Sequence, residues 1–584
     1  MVEERTVSGG QRVVAFGAPG SRMLGMYHFP EPGTPARELG VVLCPPLGWE
    51  MIASYGSFRH LADLLRSRGF HVLRFDYVGG GDSCGDETDP GRVQTWLASI
   101  GHAIEELKRR SSVKEVALVG ARLGATLAGL YAASPELPAP AALVLWSPFL
   151  TGRGFLREAR AYQALNDQRD VGVITTEGDM AGFVLTPETT AALGEIDLLK
   201  RDRYRARAAL LLARDEHSPE QKLADVLTRA GIGNELARIP GILPMLQEPR
   251  KSVVPTDVFR HIADWLEKTS PPVGLNPAVE HDNAPAELQF NGFREEAMFF
   301  GTDARLFGIA AVPQVPSRDR PFVIWLNTAN DHRIGPHRSY VPLARSLAAL
   351  GYSSFRFDPR GVGDGAPAPG AHAYSPERHV DVKEALDFVQ RRYGIDKVVL
   401  VGLCSGAYMA FHFGAKDPRV VGEILVNPQT FEWNEGDSFD ITTRTYRSTR
   451  AYKEMLQNPR TWMRALRGEV RAGAIALAIV KRGVDRGWAL ATGLVPALAG
   501  RKLNVKRTIR SKLRRGVEIL FVLAENDSGL DVVEVHLGHR GRALRSSPSF
   551  TFEIVPGVDH TFSQRWAKDQ LAALVIRHLT RHFQ

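Results

Sequence analysis

The sequence predicts an α/β fold made of two tandem domains, each a mostly parallel sheet flanked by helices. The first indication is an internal repeat. LADLLRSRGFHVLRFDYVGGGDS (from Leu61) followed by VALVGARLGATLA (from Val116) reappears as LARSLAALGYSSFRFDPRGVGDG (from Leu343) followed by VVLVGLCSGAYMA (from Val398). The pairs Leu61/Leu343, Gly69/Gly351, Asp76/Asp358, Gly81/Gly363 and Gly120/Gly402 all keep an offset of 282 residues, and duplication is the simplest cause. The second indication is that short apolar runs alternate with helical patterns, as a parallel sheet with covered faces requires. The third is length: 584 residues exceed one compact core at about 150 residues per domain.

In chain order, the first domain is expected over 1–270. A linker over 271–287 follows, within the Pro-rich, aperiodic stretch KTSPPVGLNPAVEHDNAPAE, and a second domain spans 288–584. In the second half AELQF and FVIWL read as strands, and YVPLARSLAALG reads as an amphipathic helix ending at Gly351. SSFRFD, VVLVG and GEILVN read as buried strands, and VEILFVLAENDSG as a strand running into a turn.

Composition excludes several classes. With 44% hydrophobic and 24% charged residues the chain is neither collagen-like, coiled-coil nor largely disordered. The three cysteines, Cys44, Cys84 and Cys404, are odd in number and far apart, so neither a disulfide framework nor a metal-ligand cluster is expected. The opening MVEERTVSGG lacks a basic-then-apolar pattern, and the least polar stretch, Trp488 to Ala499, is too short to span a bilayer. A cytoplasmic protein is expected, with no metal and no cofactor.

The chemistry centres on Gly402-Leu403-Cys404-Ser405-Gly406. A G-x-x-x-G segment between a strand and a helix places its third residue on a strained turn facing the helix N-terminus. That residue is Cys404, and the setting favours its thiolate; a buried, inert cysteine is the bland alternative. Ser405 sits one place too late to be the nucleophile, but its N–H suits an oxyanion. A base and an orienting carboxylate should follow in the order nucleophile, acid, histidine. Asp527, four residues beyond Leu523, and His560 in VPGVDHTFS fit those places. Glu525 is the alternative acid, while Asp559, next to His560, should point elsewhere. The loop NTANDHRIGP should supply a second oxyanion N–H around Thr328 to Asn330, assigned to Ala329, with His332 and His337 as loop residues.

The FDxxGxGD turns and the G-x-x-x-G elbows resemble those of the α/β-hydrolase superfamily. The resemblance covers both halves and implies the same fold twice. Cysteine nucleophiles at this position are similar to those of dienelactone hydrolases and cysteine aminoacyltransferases. FDPRGVGD and DHTF resemble serine-aminopeptidase-like hydrolases found beside exosortase and exopolysaccharide gene clusters, which implies a bacterial biosynthetic role. The cysteine and the fused first half depart from that pattern.

The first half fails the same test. Its elbow, Gly120-Ala121-Arg122-Leu123-Gly124, has Arg122 at the nucleophile position, and Pro244 in IPGILP replaces the histidine. Glu216 falls at the acid position without a partner. Arg122 is expected either to bind an anion at the helix N-terminus or to mark a decayed site kept for packing.

In this fold the cap lies between the sixth strand and the acid, here about 432–516. From Ile441 to Gly516 there are 19 Lys and Arg against three acids, a net of +16, leaving −8 on the rest of the chain. After Asn458-Pro459, Arg460, Arg464, Arg467 and Arg471 share one helical face, opposite Trp462, Met463, Leu466 and Val470. The candidate partners are an acidic acyl carrier protein or coenzyme A, or an anionic membrane surface; a solvated face without a partner is the bland reading. No nucleic-acid motif accompanies the charge. The expected activity is covalent acyl transfer or thioester hydrolysis through acyl-Cys404. The alternatives are a free-standing ester or lactone hydrolase, and a non-catalytic scaffold.

Overall fold

In the computed structural model the described residues are 7–169, 172–214, 219–276, 286–434, 437 and 503–583. They form two nine-stranded sheets of the same topology. In the second, the strands run in the order Ala286–Phe290, Phe293–Phe300, Leu306–Pro313, Ser354–Asp358, Phe322–Leu326, Val398–Leu403, Val420–Val426, Glu518–Ala524, Phe550–Val555. The first three are antiparallel, and the six from Ser354–Asp358 onward are mutually parallel. Phe322–Leu326 and Val398–Leu403 are buried at every position, as strands covered on both faces must be. The first sheet repeats the order from Val7–Ser8 to Gly233–Arg238.

The expected strands and the helix Tyr340–Ala349 are all present. The linker differs from the expected 271–287. Gly274–Leu275 pairs with Pro35–Ala36, and Asn276 Nδ2 donates to the Pro35 carbonyl at 2.9 Å. At the other end the second domain's first strand already begins at Ala286. The Pro- and Gly-rich composition concealed this edge pairing because a two-residue strand has no readable period.

The two domains share an interface with apolar and ionic parts. Val13, Leu24 and Met26 of the first half join Ala297, Phe299 and Phe307 of the second in one buried cluster. Beside it, the two FDxxGxGD turns exchange partners about an approximate two-fold axis. Arg74 Nη2 donates to Asp364 Oδ1 at 2.5 Å, and its repeat equivalent Arg356 pairs with Asp82, the equivalent of Asp364. Arg333 breaks the symmetry by pairing with Asp82 (2.8 Å), Asp358 (2.5 Å) and Asp364 (3.0 Å), all completely buried. Burial works against its charge, but these carboxylates and Tyr55 hold the Arg333 guanidinium well above its usual range. The motif thus joins the two domains as well as turning the chain.

Among the described residues no helix is long and apolar enough to cross a membrane.

Candidate active site

Cys404 ends the strand Val398–Leu403 and caps the helix Ser405–Gly414 with φ 57°, ψ −114°, a left-handed conformation rare for a residue with a side chain. The flanking glycines make the turn possible. A Cβ on Gly402 would collide with the Gly406 backbone, and one on Gly406 would meet the Leu326 carbonyl at 2.6 Å. The strain persists because Cys404 N–H donates to the Val426 carbonyl (2.9 Å) and the helix N-terminus is packed beneath the neighbouring strand.

The three expected catalytic side chains converge. His560 Nδ1–H donates to Asp527 Oδ2 at 2.8 Å, and the imidazole lies near enough to Cys404 for the two to interact electrostatically. Burial opposes a charged imidazole. The Asp527 carboxylate and Cys404 outweigh that cost and hold His560 well above the ordinary imidazole range. Asp527 caps the helix Ser528–Leu537, accepting from Gly529 N–H at 2.7 Å. It is the carboxylate that meets His560, which excludes the alternative acid Glu525, whose N–H extends the strand pairing to Val555. Asp559 turns into its own loop, accepting from Ser563 N–H (2.7 Å) and the Thr561 hydroxyl (2.8 Å).

Two supporting residues were missed. Gln429 Nε2 donates to Asp527 Oδ1 at 2.8 Å, and its Oε1 accepts from the Ser528 hydroxyl at 2.6 Å, so the amide fixes the carboxylate from behind. Asn427, at φ 43°, accepts from Ala524 N–H (2.8 Å) and donates to the His560 carbonyl (2.7 Å), tying the histidine loop to the sheet. The only sequence signal was their place just after GEILV, at the end of the strand Val420–Val426.

The oxyanion assignment needs correction at Ala329. Its N–H, in a residue at φ 48°, donates to Ser405 Oγ at 2.7 Å and is already engaged. The Ser405 hydroxyl therefore lies against the expected pocket and leaves a donor proton of its own. Its backbone N–H remains at the first position of the helix. Thr328 Oγ1 donates to the Leu403 carbonyl at 3.2 Å and so braces the loop against the elbow. His332 and His337 are not bases here: His332 stacks on Tyr55 at the domain interface (4.0 Å between centroids), and His337 Nε2 lies 3.3 Å from Thr561 Oγ1.

In the first domain Arg122 keeps the elbow geometry, φ 55°, ψ −126°, without a nucleophile. Its guanidinium is buried; Nε donates to Glu50 at 2.9 Å and Nη2 pairs with Glu158. Two carboxylates already neutralise it, which removes the free positive site expected for an anion. Glu216 lies outside the described residues.

Arg460, Arg464, Arg467 and Arg471 also lie outside them. The basic segment that is described, Val505–Arg514, packs Val505 and Ile509 into the core and buries Lys512, whose Nζ meets Glu423 at 2.7 Å. At least this cation serves the body of the domain.

A doubled sheet of this topology, with a strained elbow and a Cys-His-Asp set at its strand ends, defines the class: the chain belongs to the α/β-hydrolase superfamily. The family model described as "Serine aminopeptidase, S33" matches residues 50–202 and 332–464, one segment in each half. Similar solved structures include Est1E from Butyrivibrio proteoclasticus with ferulic acid (16% identity, 44% of this chain and 98% of that one, TM-score 0.31). They also include the proline iminopeptidase of Mycobacterium smegmatis (15% identity, 44% and 98%, TM-score 0.31). A third is an esterase of Pyrococcus furiosus (15% identity, 46% and 97%, TM-score 0.31). No curated protein matches the chain significantly.

Proposed function

We propose that the second domain forms an acyl-Cys404 intermediate and transfers the acyl group, or hydrolyses it, from an activated thioester donor. The observation that carries this reading is the imidazole of His560, hydrogen-bonded to Asp527 and electrostatically coupled to Cys404 on its strained elbow. The Cys404 thiolate attacks the acyl carbon, and the carbonyl π electrons move onto oxygen. Ser405, through its N–H and hydroxyl, meets that oxyanion in this reading, a contribution typically of about 3–4 kcal/mol. Collapse breaks the bond to the donor sulfur, which takes the proton from His560. The neutral imidazole then removes a proton from an incoming amine, alcohol, thiol or water as it attacks the thioester.

Exchange of one thioester for another is nearly isoenergetic, which favours a thioester donor over an amide. The net charge of +16 between Ile441 and Gly516 supports an acidic carrier protein or coenzyme A as the bearer, or contact with an anionic membrane. The second reading, a free-standing ester or lactone hydrolase, draws on the match to a family of hydrolases.

Incubation with an acyl thioester followed by intact-mass measurement tests the proposal. An acyl adduct is expected on the wild type and on Arg122→Met, and none on Cys404→Ala. Rapid turnover of small esters, unchanged when the basic segment's arginines are neutralised, would favour the second reading.

A further inference from the structure

The first domain has no nucleophile, yet it keeps a cavity of about 150 Å³ in front of its elbow. A cavity of this size with apolar walls accommodates roughly one benzene-sized group. Its walls are aromatic and aliphatic: Trp49 stacks on Tyr162 with centroids 4.4 Å apart, and Phe149, Phe155 and Leu123 complete that side. The polar part of the lining is charged: Asp76, Glu87 and Arg92 join Arg122 with Glu50 and Glu158, and the Arg122 guanidinium carbon lies 4.2 Å from the centroid of the Phe149 ring. Nε and Nη2 are taken by Glu50 and Glu158, and among the described residues no acceptor reaches Nη1. The side chain is only 5% exposed and lines the cavity, which leaves Nη1 as its donor without a protein acceptor among the described residues.

These features select the ligand chemistry. The walls require an apolar body about the size of one ring or a six-carbon chain. The open N–H requires an acceptor oxygen. Arg122 is already flanked by two carboxylates, so a third would meet their repulsion, whereas a neutral carbonyl would not.

The opposite wall is the hairpin Asp179–Met180/Phe183–Val184, from which Met180, Ala181 and Phe183 line the cavity. Its outer side touches the second domain. Lys568 Nζ donates to the Gly182 carbonyl at 2.6 Å, and the Phe183 ring meets His337 edge-on at 6.1 Å. His337 in turn lies 3.3 Å from Thr561, the residue after His560.

We propose that the first domain is a non-catalytic binding site for a short acyl or aryl compound bearing a neutral carbonyl, and that its occupancy acts through this hairpin on the reactivity of Cys404. The site involves none of the residues assigned to acyl transfer, so it stands or falls separately from that reading.

Hexanamide, hexanoate and hexylammonium are the probes. Binding is followed through tryptophan fluorescence, since Trp49 and Trp96 line the cavity, and Cys404 reactivity through its iodoacetamide alkylation rate. Hexanamide is expected to bind roughly tenfold more tightly than either charged probe. It should change the alkylation rate at least about twofold. Ala159→Phe, which fills the cavity from the helix side, should abolish both effects; Leu185→Trp does so from the hairpin side if the first variant does not fold. Undiminished hexanamide binding in a folded cavity-filling variant, or preferential binding of hexanoate or hexylammonium, overturns the site. Binding with an unchanged alkylation rate overturns the coupling.

Discussion

Arg122 and Cys404 stand 282 residues apart in sequence and share nearly the same left-handed backbone conformation, φ 55° and 57°. Around Cys404 the strand ends deliver Asp527 and His560; around Arg122 two helices deliver Glu50 and Glu158 beside a largely apolar cavity. Even the turn after the next strand is kept, with Ser147 at φ 47° before Pro148 and Asn427 at φ 43° before Pro428. Backbone geometry of this kind is needed to pack the elbow helix against the sheet and survives without chemistry. A strained elbow therefore identifies the fold, and only the side chains brought to it identify a reaction.

The largest way to break this contrast is at the nucleophile. Cys404→Ala should lose turnover by about 10³-fold or more, while Arg122→Met should stay within a few-fold of wild type in thioester turnover. Installing Arg122→Cys in the Cys404→Ala background should restore nothing, because Pro244 occupies the place of the base. Next comes His560→Ala, expected to lower turnover about 10²- to 10⁴-fold at neutral pH.

The interface the two halves share is the next target. Arg333→Met leaves three wholly buried carboxylates short of a counter-charge and should cost roughly 3–5 kcal/mol, read by denaturant unfolding. A smaller pH effect tests the same surface. Burial lowers His332 to about 3, with Arg333 adding to it, and lowers His337 to about 4, with Lys568 adding to it. Both are neutral in the fold and protonate near 6.5 when unfolded. Their stabilising contribution is present above about pH 6.5 and is lost as pH falls through 4 toward 3. Melting temperature should drop across that window, and less so in a His332→Phe variant. The smallest expected effect is Gln429→Leu, which removes one of the hydrogen bonds orienting Asp527. It should lower kcat about tenfold with KM nearly unchanged.

Repeats and elbows were legible because they depend on local spacing: Gly402 and Gly406 are needed by backbone contact, and Asp527 and His560 follow strands with clear apolar runs. Gln429 and Asn427 were not legible, since an amide after a strand carries no period and their roles arise only when distant loops meet. The pairing of Arg74 with Asp364 and of Arg356 with Asp82 was hidden for the same reason. Each arginine reads as an ordinary strand residue until the two copies are placed face to face. Ala329 was found by position, but its engagement by Ser405 Oγ depends on a side-chain rotamer that spacing does not encode.

Thiol reactivity is the most direct test. Burial pushes the Cys44 thiol up to about 12, and burial also raises Cys84, so neither should react readily. Brief iodoacetamide treatment followed by peptide mapping should label Cys404 far ahead of the other two, with the label protecting against acyl-adduct formation. Equal, slow labelling of all three cysteines, or an acyl adduct that persists in Cys404→Ala, would contradict the assignment of Cys404 as the nucleophile.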